Sequence, residues 1–184
     1  MTPSATRPTS DKLTRLSRAM EWVTSVGIVL IVVAMILGFF LPSWTRNALL
    51  YKLGTTGANL PLDPPNQFFA AAIMAVPVGV MVWGLWHVRA LFRDFAQGRA
   101  FSEGASRHLQ QFGVSVLIQG ALGPLTATAL VLVLTLANPP GQRLLVLAIS
   151  GNDYFALIVG GALFAVAVVM REAARLADEN AGLV

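Results

Sequence analysis

The side chains that could do chemistry cluster in one stretch. Both histidines, His87 and His108, stand in WGLWHVRALFRDFAQGRAFSEGASRHLQQFG (83–113), with two of the four tryptophans. An imidazole nitrogen can ligate a haem or chlorophyll metal, or share a zinc ion. His87 ends an apolar run among aromatic rings, which makes it a weak candidate for a pigment ligand. The same position is about one helical turn from Arg89 and Arg93, at the depth where amphipathic rings gather at a membrane surface. Interfacial packing is therefore the favoured reading. A metal shared by the two histidines is not expected. His87 lies eleven residues before Gly98, about 16 Å along a helix, and His108 six after Ser102, about 9 Å along the next. That offset in depth is predicted to be too large for ligands each about 2 Å from one ion.

The absence of cysteine removes thiol nucleophiles, disulfides and thiolate metal sites. Serines and acids are scattered, and neither a Gly-x-Ser-x-Gly elbow nor a phosphate-binding loop occurs. No catalytic residue, metal ligand or cofactor is assigned, and a non-enzymatic role is expected.

The elements that carry these residues are readable from hydropathy. The chain is 55% hydrophobic and 12% charged, about half the charge of a soluble domain. Its apolar residues form four long blocks, at 22–41, 68–88, 112–137 and 154–170. A helix rising about 1.5 Å per residue crosses about 30 Å of hydrocarbon in roughly twenty residues. The predicted fold is an all-α membrane protein of one domain, 1–184, with four transmembrane helices packed on one another. The first block is too long for a signal-peptide core, and LPSWTRN offers no cleavage site, so it is read as a retained span.

Of thirteen lysines and arginines, ten flank the blocks on one side: Arg7, Lys12, Arg15, Arg18, Arg89, Arg93, Arg99, Arg107, Arg171 and Arg175. Cytoplasmic loops retain such residues. Both termini, a hairpin at 89–111 and a tail at 171–184 are thus expected in the cytoplasm of a bacterial inner membrane. Topology and anionic lipid account for the basic residues, and no direct nucleic-acid partner is expected. Residues 1–9 are expected to be mobile. Residues 10–20 suit an amphipathic interfacial helix, with Leu13, Leu16 and Met20 on one side and Lys12, Arg15 and Arg18 towards headgroups.

No charged residue falls within the four blocks, so a proton relay or a charged selectivity ring is not expected. The polar inventory at depth is Gln119 with Thr126, Thr128 and Thr135. Gln119, beside Pro124, is either a polar hinge or an interhelical hydrogen bond, and the second is favoured; Pro77 is expected to bend the second span. Small residues at four-residue spacing, Ala34 and Gly38, Ala71, Ala75 and Gly79, Gly161 and Ala165, point to close helix packing.

In the outer loops, 42–67 and 138–153, Trp44 is placed at interfacial depth, and the prolines of NLPLDPPNQ are read as excluding regular helix. Residues 144–149 are expected to pair as a short strand with 49–53 in a small periplasmic cap. Asn152 or Asp153 is expected to cap the fourth span. On the cytoplasmic side, Val88, Leu91, Phe92 and Phe95 continue the second helix beyond the bilayer, Gly98 ends it and Ser102 caps the next, with Glu103 at its positive end. Leu91, Phe92, Phe95 and Phe101, with Arg171, Arg175 and Glu179 of the tail, form a packing or partner surface.

The segment LFRDFAQGRAFSEGASRHLQQFG, followed by two apolar blocks and REAARLADENAGLV, resembles the bacterial membrane family catalogued as domain of unknown function 2975. The matching positions are Leu91, Phe92, Gly98 and Phe101 and, in the tail, Ala177, Glu179 and Asn180. The resemblance implies a four-span architecture with an aromatic, glycine-bearing hairpin and supplies no catalytic residues. Some relatives appear beside small helix-turn-helix regulators, which implies a membrane-tethered regulatory role as one reading. The expected function is a contact-based one, as an accessory or structural subunit of a membrane assembly or as a homo-oligomer. Its partners would be the lipid bilayer and other membrane subunits or itself. The alternatives are a membrane sensor holding a cytoplasmic DNA-binding regulator and a pigment- or small-molecule-binding protein using His87.

Overall fold

The computed structural model describes residues 8–55, 62–100, 102–136, 147 and 149–181. Among these there are five helices and no strand: α1 (Pro8–Phe40), α2 (Pro42–Leu53), α3 (Pro64–Ala96), α4 (Glu103–Thr135) and α5 (Gly151–Ala181). The four long ones, α1, α3, α4 and α5, are apolar and long enough to cross a membrane.

The breaks between helices are local chemistry. Pro42 cannot continue α1 and instead opens α2 at its first turn, where a missing N–H costs nothing. The Thr45 hydroxyl donates to the Gly38 carbonyl at 2.6 Å, satisfying one of the carbonyls that a helix end leaves without a partner. Helix α2 ends at Gly54, whose φ is 60°. In α3, Asp63 occupies the cap position and Pro64 and Pro65 the first turn. Pro64 and Pro65 therefore start a helix, a correction to the reading that the prolines of NLPLDPPNQ exclude one; Pro61 lies outside the described residues.

Two further expectations are corrected. Residues 49–53 are helical, because Ala48, Leu49 and Leu50 are strong helix formers. Of the proposed partner strand only 147 and 149 are described, and neither is in a strand. Residues 10–20 form part of an uninterrupted α1 that runs on into the first span. Within that stretch the buried residue is Ser17, with Leu13, Leu16 and Met20 exposed, so the side turned inwards is not the apolar one. At the start of α5 the cap is Ser150, not Asn152 or Asp153. Ser150 Oγ accepts from the Asp153 N–H at 3.2 Å, and the Asp153 carboxylate accepts from the Ser150 N–H at 2.9 Å, a reciprocal capping box.

The long helices form an open row. Helix α1 packs on α3, α3 on α4 and α4 on α5, and no extended packing joins α1 to α4 or α5, or α3 to α5, among the described residues. The apolar window of α4 is 28% buried, against 6% for α1 and 11% each for α3 and α5, so α4 is the most buried of the four. The tightest crossing is between α4 and α5. A Cβ on Gly160 would stand 2.7 Å from the Leu117 nitrogen and 3.0 Å from the Gly113 oxygen, and one on Gly113 would stand 2.8 Å from the Phe164 nitrogen. Lipid-solvated helices gain little hydrophobic drive from meeting, so close backbone approach of this kind holds them. Buried hydroxyls on α4 donate within their own helix: Thr126 to the Leu122 carbonyl and Thr135 to that of Val131, both at 2.7 Å. They pack as small residues with their polarity satisfied.

The end away from the α3–α4 hairpin holds a core of Leu49, Ala70, Leu130 and Leu134, backed by Leu53, Leu62, Ile73 and Met74. It anchors α2 on α3 and α4.

Candidate functional site

The α3–α4 hairpin is built by its own sequence. Gly98 adopts a φ of 75°, a left-handed conformation that glycine takes without steric cost. The Arg99 N–H donates to the Asp94 carbonyl at 3.0 Å, and the Arg99 guanidinium reaches the Asp94 carboxylate at 2.7 Å. Ser102 Oγ accepts from the Ala105 N–H at 3.1 Å, with Glu103 in the first turn of α4.

This turn doubles back. A Cβ on Gly104 would lie 3.6 Å from the Asp94 carboxylate, so the first turn of α4 stands level with the last turn of α3. Deeper in, Gly84 abuts Ser115 and the Gln119 amide donates to the Pro77 carbonyl at 2.7 Å, an interhelical hydrogen bond. With this register, His87 and His108 meet: their Nδ1 atoms are 3.1 Å apart, with ring centroids at 5.3 Å and planes at 36°. The expectation that they stand too far apart is overturned. Residues 98 and 102 are not level, because the first turn of α4 stands beside Asp94, and the two imidazole side chains bridge the remaining offset. Trp83 meets His87 edge-on, with centroids 5.2 Å apart. No third histidine, cysteine, aspartate or glutamate completes a cluster among the described residues.

Glu21 of α1 faces α3, 3.1 Å from Arg93 and 4.0 Å from Arg89. The Arg89 guanidinium also lies 5.4 Å from the Trp86 ring centroid. Glu21 was absent from the sequence-derived candidates. Its signal was an isolated acid at the foot of the first apolar block, where the second block ends in arginines.

The partner surface separates into parts. Leu91 is buried, while Phe92 and Phe95 are half-buried and meet edge to face at 6.3 Å. Arg171, Arg175 and Glu179 instead line a polar cleft of about 540 Å³ with Glu103, Glu172 and Ala174. There Arg175 pairs with Glu172 at 2.6 Å and with Glu179 at 3.8 Å. Phe101, the Lys12 side chain and the side chains of Ala177 and Asn180 lie outside the described residues; Arg15 and Arg18 are exposed.

The small residues chosen from spacing are not those at the closest crossings. A Cβ added at Gly38, Gly79 or Gly161 would meet no neighbour within 4 Å, Ala165 is exposed and Ala75 half-buried. Ala34, Gly38 and Ala71 line an apolar cavity of about 570 Å³ between α1, α2 and α3, with Trp44, Met74 and Met81. Spacing marks a smooth face of a helix and leaves open whether another helix covers it.

Compared with known proteins, the chain matches the family described as "Protein of unknown function (DUF2975)" over residues 47–184, well over half its length. No curated protein and no solved structure matches it.

Proposed function

The chain belongs to the DUF2975 family, and from that premise we propose that it is a non-enzymatic integral membrane protein acting through protein contacts, as an accessory or structural subunit of a membrane assembly or as a homo-oligomer. The observation that carries this reading is the open row. Among the described residues, helix α5 packs extensively on α4 alone and leaves Gly161 and Ala165 exposed, on a face smooth enough for another helix to approach closely. The bacterial inner membrane is its proposed site.

The test is the mass and composition of the particle extracted into lipid nanodiscs. We expect more than one 19.6 kDa chain, or this chain with a stoichiometric membrane subunit. Gly161→Leu with Ala165→Leu should disperse that particle without lowering expression. A wild-type particle holding one chain and no partner overturns the proposal. The polar cleft of Glu103, Arg171 and Glu179 favours the second reading, a tether for a small cytoplasmic regulator; recovery of a stoichiometric soluble protein would select it.

In the proposed orientation both termini and the hairpin are cytoplasmic, a reading supported by the ten flanking basic residues. A cysteine replacing Arg99 should resist a membrane-impermeant thiol reagent added to intact cells, while one replacing Lys52 is labelled. Labelling at 99 from outside would refute the orientation.

A further inference from the structure

We propose that His87 and His108 form a two-histidine site for a late first-row divalent cation of the zinc, copper or nickel class. The two Nδ1 atoms are 3.1 Å apart. An ion about 2.0–2.1 Å from each nitrogen would see them at an angle of about 100°, which suits adjacent positions in the common geometries of these ions. Imidazole is a favoured ligand for all three.

The spacing is set by helices and not by a loop. His87 is on α3 and His108 on α4, and their register is pinned on one side by the Gly84–Ser115 contact and the Gln119–Pro77 hydrogen bond, and on the other by the Asp94–Arg99 turn. Trp83, edge-on to His87, restricts that ring. Both histidines are half-buried, so an ion can enter. With no third side-chain ligand among the described residues, water fills the other positions.

Arg89 and Arg93 follow His87 along α3, and Arg107 adjoins His108 on α4. The first two are drawn towards Glu21 of α1, which limits the penalty they place on a bound cation. Without metal, the 3.1 Å separation fits one neutral ring donating Nδ1–H to the other. On loading, the donor ring takes its Nε2–H tautomer, and both Nδ1 lone pairs face the ion. The bound ion then ties α3 to α4 near the hairpin.

The test uses the full chain without a histidine tag, in detergent and stripped with a chelator. Titration with Co2+ and Cu2+ should show one equivalent bound per chain with a visible ligand-field band. His87→Gln and His108→Gln should each weaken binding at least about tenfold, since one of two protein ligands is lost. Zn2+ should raise the thermal midpoint of the wild-type chain and not that of either variant. NMR spectra of the wild-type chain with isotope-labelled histidine supply a readout that needs no substitution: both Nδ1 resonances, and not Nε2, should shift on Zn2+ addition. Absence of a bound equivalent, binding that survives both substitutions, or Nδ1 resonances that stay in place would overturn the site.

Discussion

Gly160→Leu is expected to prevent the chain from accumulating as a folded membrane protein, whereas Gly161→Leu, one residue along the same helix, leaves it intact. At position 160 the first added carbon already stands 2.7 Å from the Leu117 nitrogen and 3.0 Å from the Gly113 oxygen. Both are backbone atoms, so no side-chain rotation relieves the clash, and α5 must move off α4. Overpacking by a methylene or two costs about 1–3 kcal/mol where side chains can shift, and this site should exceed that range. The effect is large because, among the described residues, α4 is the only helix on which α5 packs extensively. At position 161 nothing lies within 4 Å, and leucine is the better helix former by several tenths of a kcal/mol. Expression level and thermal midpoint in detergent read both variants. Equal behaviour of the two would show that the α4–α5 crossing is wrongly placed.

At the opposite end, Leu49→Ala should lower stability by about 2–4 kcal/mol, with little change for Leu50→Ala. Leu49 is fully buried against Ala70, Leu130 and Leu134, while its neighbour is 49% exposed. The short α2 has no long apolar span to hold it in lipid, so its position depends on this cluster and on the Thr45–Gly38 hydrogen bond. Removing the leucine opens a cavity that the ends of α3 and α4 cannot collapse to fill. Denaturant titration of both variants measures the difference; equal losses would mean that α2 is not anchored through Leu49.

The sequence by itself determined features that depend on neighbours along the chain. Four spans follow from the length and apolarity of four blocks, because a helix in lipid must satisfy its backbone internally whatever lies beside it. The hairpin follows in the same way: Gly98 supplies the left-handed turn and Ser102 the cap, each acting within a few residues. The match to DUF2975 over residues 47–184 agrees with a resemblance carried by that same hairpin.

Only the tertiary structure decided what faces what. Apolar periodicity within a span cannot choose a neighbour when lipid covers any face equally well, so the open row was not legible. For the same reason, spacing singled out Gly161 and left out Gly160, although the second lies at the crossing and the first in open space. The α2 helix stands where a strand was expected because tertiary burial through Leu49 supports a local helix preference. Glu21 met Arg89 and Arg93 across a gap of about seventy residues, which no local pattern records. The meeting of His87 and His108 rests on a register between two helices, set by the doubling back at Asp94 and by the length of two imidazole side chains. Residue counts measure distance along each helix, and only packing fixes how the two scales are aligned.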